Sequence, residues 1–291
     1  MVGLWLSAGT FCRQLSGDKP ETLSFVANFF AMTLHFSRPV LPILFSLLLG
    51  GLSWADDAKT IESAKEAFSR KDFGAAIAAL KPILDRDASA ATDATQQAKE
   101  ISAIAHQRRG EDHFRNGRIK ESIADFDAVI ALFPEEAAGH WQRGISLYYA
   151  GDYQQGVNQF ELHRTVNPED VENSVWHLLC LVKTEGATLE SARQQYLPVT
   201  RDRRIPMMQI QNLFNGKGKP EEVIEAAGSA SENARFHSDL YLGLYYEMIG
   251  EKEKSLKHIA EAAANPTANN YMGDVARTHL LLRGQSDGGG N

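Results

Sequence analysis

Five residues of this chain recur at one interval. Gly110 returns as Gly144, Gly117 as Gly151, Phe126 as Phe160, Pro134 as Pro168 and His106 as His140, each 34 residues on. A chain that repeats at this period is built from copies of one supersecondary unit. Each copy is too small to bury its own apolar face and becomes stable only by stacking on the next. The content of a copy reads as two helices and a turn. Apolar groups follow the turn at helical spacing, as Ile119, Ile123 and Phe126 in one copy and Tyr153, Val157 and Phe160 in the next. Gly117, Gly151, Gly250 and Lys71 mark the turns, while Pro134 and Pro168 close the copies because proline cannot continue a helix interior. Small residues also recur twelve apart: Gly110 with Ser122, Gly144 with Gly156, Gly243 with Ser255, and Ala64 with Ala76. These are expected to face one another where the two helices cross.

This pattern resembles the tetratricopeptide repeat over most of residues 57–269. Copies fall at about 103–136 and 137–170, with a degenerate copy at 57–90 and a further one at 236–269. The resemblance implies an all-α fold, a right-handed superhelix (α-solenoid) of stacked antiparallel helix pairs over residues 56–283, with a concave inner wall. Ala91 to Ser102 reads as a lengthened helix. Between 171 and 235 one helix carries Trp176, Leu178, Leu179 and Leu181, and a second runs from Leu189 to Leu197. A pair then follows at Pro206–Phe214 and Pro220–Ala227. Residues 271–283 are expected to close the stack as an end helix, and 284–291, with three consecutive glycines, to be a disordered tail. The stretch Tyr241-Leu242-Gly243-Leu244-Tyr245-Tyr246-Glu247-Met248-Ile249-Gly250 is similar to the last repeat of NlpI-type bacterial envelope lipoproteins. Those proteins are non-catalytic adaptors, but this chain has no cysteine beside its presumed cleavage point.

The first 55 residues read as a leader. An apolar run from Val40 to Trp54 follows Arg38 and ends at Ser53-Trp54-Ala55, a signal-peptidase pattern, so cleavage is expected after Ala55. Met32 stands where such a peptide would begin, which makes 1–31 a candidate mis-assigned start and 32–55 the signal. The run is shorter than the roughly 20 residues of a spanning helix, so no stable transmembrane span is expected. The protein is expected in the periplasm or secreted, the alternatives being a signal-anchored form or an organelle lumen.

Composition narrows the function. A formal net charge of -7 argues against sequence-independent binding to nucleic acid. With two cysteines, a disulfide-dense scaffold or a multi-cysteine zinc site is excluded. The sequence has no His-Glu-x-x-His pair, phosphate loop, Gly-x-Ser-x-Gly elbow or dinucleotide-binding glycines. No catalytic, cofactor-binding or metal-binding residues are assigned. The expectation is a non-catalytic scaffold whose groove binds a protein or peptide. In this class of repeat the first helices line the inner wall, which selects Gln107, Glu111 and Phe114 from one copy and Trp141, Ile145, Tyr148 and Tyr149 from the next. The plainer alternative packs Trp141 and Tyr148 between copies. Arg108 and Arg115 are the nearest approach to a carboxylate clamp, and Arg201-Asp202-Arg203-Arg204 is either an acidic-partner patch or a solvated linker. Two further functions stay open: a structural subunit acting through its convex face, and an enzyme whose site lies in 171–235, with Cys180 beside His177.

Overall fold

The computed structural model describes residues 44–86, 92–228 and 230–284, with side chains described from residue 56 onward. The leader up to residue 43 and the tail from 285 lie outside the described residues. Every regular element among the described residues is helical. No helix among them is long and apolar enough to cross a membrane. The chain divides into two compact units, 1–105 and 106–291.

The first unit is built on a hairpin of α1 (Leu44–Ser69) and α2 (Phe73–Leu84), followed by the opening half of α3 (Asp93–Arg115). The residues from Ala91 to Ser102, expected to be helical, lie in α3 from Asp93 on. Lys71 turns the hairpin with a positive φ of 60°, and the Asp72 side chain caps α2 by accepting from the Ala75 amide at 3.0 Å. The core here is thin: Ile61, Ala64, Leu80, Ile83 and Ala98 form one cluster, and Ala67, Ala76 and Ala105 another. Asp57 and Arg86 pair across the hairpin.

The second unit holds the larger core. After α3 come α4 (Ile119–Leu132), a 3-10 turn at Pro134–Gly139, α5 (Trp141–Ala150) and α6 (Tyr153–Arg164). Then follow α7 (Val171–Leu181), α8 (Leu189–Gln194), α9 (Met207–Phe214) and α10 (Pro220–Gly228). The unit ends with α11 (Glu232–Met248), α12 (Lys252–Ala264) and α13 (Tyr271–Arg283). Helices adjacent in sequence pack as neighbours, α5 on α6 and α11 on α12 among them. The helix expected from Leu189 to Leu197 stops at Gln194, four residues before Pro198, which lacks the amide a continuing helix needs.

The turns fall where the sequence placed them. Gly117, Gly151 and Gly250 have φ of 71°, 87° and 84°, the left-handed region that closes a helix without strain only for glycine. The small-residue pairing is different from the expectation. The nearest neighbour of each first-helix glycine is the bulky group sixteen residues on, not the small residue twelve on. A Cβ on Gly110 would stand 2.7 Å from the Phe126 ring, on Gly144 2.6 Å from Phe160, and on Gly243 2.5 Å from Ile259. The glycine makes room for a large group across the hairpin rather than for a second small one. Ser122 and Gly156 instead serve the next first helix. Ser122 Oγ lies 3.0 Å from Ser146 Oγ, and a Cβ on Gly156 would stand 2.6 Å from Cys180 Sγ.

One polar pair appears in two hairpins with its members exchanged. His106 Nδ1 lies 2.7 Å from Asp125 Oδ1, first helix to second, whereas Asp239 Oδ1 lies 2.9 Å from His258 Nδ1. At the same register the middle hairpin has His140 and Gln159.

Candidate functional site

The seven residues selected as groove-lining do come together, and all lie in the second unit on α3 and α5. They do not form an open wall, because α13 lies over Phe114, Trp141 and Tyr149. Phe114 is fully buried and stacks on Tyr271 with ring centroids 5.2 Å apart, and its carbonyl accepts from Thr278 Oγ1 at 3.2 Å. Trp141, half-buried, stands edge-on to the same Tyr271 ring at 5.2 Å. The Tyr149 hydroxyl lies 3.1 Å from His279 Nδ1, and the Arg283 guanidinium sits 5.8 Å over the Tyr149 ring. Tyr148 and Ile145 are buried one layer further in, Tyr148 edge-on to Trp176 at 5.4 Å. Gln107 is buried and donates to Glu111 at 2.9 Å. The aromatic faces of Phe114, Trp141 and Tyr149 are therefore spent on a helix of the same chain.

The ends of α13 are fixed by charge. Arg115 on α3 meets Asp274 at 3.1 Å near the start of α13, and Arg283 near its end donates to Glu247 Oε1 of α11 at 2.9 Å. Glu247 also accepts from the Tyr148 hydroxyl at 2.6 Å. Burial alone would raise the Glu247 carboxyl, but the field of His279, the Tyr148 hydroxyl and the Arg283 guanidinium hold it below the usual carboxylate range. Burial lowers the His279 imidazole against the raising field of Glu247, and its Nδ1 is paired with the Tyr149 hydroxyl. The Tyr148, Tyr149 and Tyr271 hydroxyls are pushed up by the same desolvation. None of them can serve as a base near neutral pH, and the arrangement is suited to holding a helix in register.

The other sequence candidates are absorbed by the fold. Arg108 is occupied by Glu111 at 3.1 Å and Arg115 by Asp274, so no carboxylate clamp is assembled from them. Within the basic run, Arg204 reaches Asp170 at 2.7 Å, Glu172 at 2.6 Å and Asp202, tying the linker to the start of α7. Glu169 accepts from the Thr200 and Arg201 amides in the same tie. Cys180 is buried and its thiol is pushed up by desolvation, away from the thiolate a nucleophile needs. His177 Nε2 faces Glu161 at 3.4 Å. His140 is buried against the Phe126 ring at 4.8 Å, with neither ring nitrogen partnered. Among the described residues no group of three or more His, Cys, Asp or Glu is arranged to hold a metal ion.

Sequence reasoning missed α13 as the cover of the row, although it placed the helix itself correctly. A signal existed. An end helix needs a polar outer face, whereas Tyr271, Met272, Val275, Ala276, Leu280 and Leu282 spread apolar groups around most of α13. No family model matches this chain.

Proposed function

We propose that the chain is a non-catalytic scaffold of the tetratricopeptide kind, exported by its leader, that works by binding a protein segment. The carrying observation is the aromatic row itself. Phe114, Trp141 and Tyr149, drawn from the first helices of successive pairs, accommodate one side of a helix, with a charge at each end to set its direction. Aromatic groups on rigid helices supply contact area at little entropic cost, which is why they dominate protein-binding hot spots. The recurring hairpin register and the left-handed turns support the tetratricopeptide assignment and, with it, stacking into a superhelix. The test is affinity capture with residues 56–284 as bait from an envelope fraction, beside Trp141→Ala, whose ring is only half-buried. A captured protein lost with Trp141→Ala while helicity is retained supports the reading, and equal capture by both removes the row from it.

A second reading is favoured by a different observation. Leu162, near the end of α6, and Val166, just past it, are 42% and 48% exposed. They fit a structural subunit that joins a larger envelope assembly through its second helices, on what would be the convex face. Leu162→Asp combined with Val166→Asp separates the two readings: loss of capture there, with Trp141→Ala neutral, selects this one.

A further inference from the structure

We propose that α13 is an intramolecular stand-in for the partner: the row on α3, α5 and α11 is a docking site for an amphipathic helix that carries the contact pattern of α13. This rests on the scaffold reading and names the class of segment it binds. The inference comes from how α13 is held. α13 sinks Val275 and Ala276 into the core, and beside these apolar groups it buries three polar ones, Asp274, Thr278 and His279. Each has a specific partner on the row: Asp274 with Arg115, Thr278 with the Phe114 carbonyl, and His279 with the Tyr149 hydroxyl. Polar, individually paired contacts are characteristic of surfaces that must also exist apart.

These contacts spell out a sequence. The occupant needs an aromatic at its first position, as Tyr271 has, to lie between Phe114 and Trp141. An acid follows three residues on for Arg115, a hydroxyl and an imidazole at seven and eight, and an arginine at twelve for Glu247. The two charged contacts are nine residues apart, roughly 13 Å along a helix at 1.5 Å per residue. Arg115 and Glu247 therefore read both the spacing and the direction of the segment. A helix entering backwards would place acid against Glu247 and arginine against Arg115. The short connection after Ala264 holds α13 beside the row at an effective concentration on the order of millimolar, so an outside helix must compete with it.

The experiment uses the chain of residues 56–284 and a fluorescent peptide of residues 269–284 as the probe. In the intact chain, native-state hydrogen exchange is expected to show α13 amides opening separately from, and more readily than, those of α7. The triple substitution Asp274→Ala, His279→Ala, Arg283→Ala loosens α13 and leaves the row unaltered. It should raise peptide affinity at least tenfold over the unsubstituted chain. Adding Arg115→Glu to the loosened chain should abolish that binding, and a peptide carrying Asp274→Arg should restore it. Exchange of α13 only through global unfolding, or no gain in peptide binding by a loosened chain that remains helical, overturns the proposal. So does a concentration-dependent dimer of the loosened chain that excludes the peptide, since the occupant is then a second copy. The scaffold reading is judged separately: it survives these failures if the intact chain still captures a partner, and it falls if neither the intact nor the loosened chain captures any.

Discussion

At the scale of single residues, the hairpins depend on a glycine that clears space for one large group. A methyl at Gly144 would meet the Phe160 ring at 2.6 Å, and a methyl at Gly243 would meet Ile259 at 2.5 Å. Gly144→Ala and Gly243→Ala are each expected to cost about 1–3 kcal/mol in urea unfolding, the usual range for overpacking. Phe160→Leu should recover part of the loss from Gly144→Ala, and a double substitution no better than the single would refute the contact. His140 makes a different prediction. Its register has Gln159 where that of its counterpart His106 has Asp125, its ring nitrogens are unpartnered, and burial lowers its pKa from 6.5 to about 3. Because the folded value is depressed, the unfolded chain binds the proton first. The stability from keeping this ring neutral is complete above pH 6.5 and is lost as pH falls from there toward 3, on the order of a few kcal/mol. His140→Leu should flatten that part of the stability-against-pH curve, and an unchanged slope would locate the acid sensitivity elsewhere. The glycines were legible in the sequence as small positions. The identity of what they face was not, because a twelve-residue echo and a sixteen-residue contact look alike until the helices are placed.

At the scale of elements, most helices could be read from periodicity and punctuation. Residues 207–214, 220–228 and 271–283 fall almost where their apolar spacing, prolines and glycines put them. What could not be read was tertiary. Thr278 and Phe114 are 164 residues apart, and His279 and Tyr149 are 130 apart. No local signal connects such pairs, so the helices were legible and the contacts of α13 with α3 and α5 were not. The Tyr148 hydroxyl illustrates what that long-range closure is worth. It joins α5 to α11 through Glu247, 99 residues away. Tyr148→Phe is expected to cost about 1.5–3 kcal/mol, as for a hydrogen bond to a charged group. It should also shift the fluorescence of Trp176, which the Tyr148 ring touches. A cost below about 0.5 kcal/mol would mean that Arg283 alone satisfies the carboxylate.

At the scale of the whole chain, the two units differ in the material of their cores. Among buried residues the first relies largely on alanines, with Ile61, Leu80 and Ile83 as the bulky ones and Phe68, Phe73 and Ile77 only partly buried, while the second buries Trp176, Phe114, Phe126, Phe160, Phe214 and Phe236. Burial free energy follows apolar area, so amides of α2 should exchange at lower free energy than those of α7. Equal protection of the two would contradict that ranking. The run of alanines in the first hairpin was visible in the sequence, and the thin core is its physical counterpart. The inverted pair of His106 with Asp125 and Asp239 with His258 has a consequence for how such a chain can change. Grafting the second helix of the α11–α12 hairpin onto α3 would set one imidazole against another, and the reciprocal graft would set carboxylate against carboxylate. These two hairpins of one chain are thus mutually incompatible parts, since exchanging their halves would leave like groups facing one another.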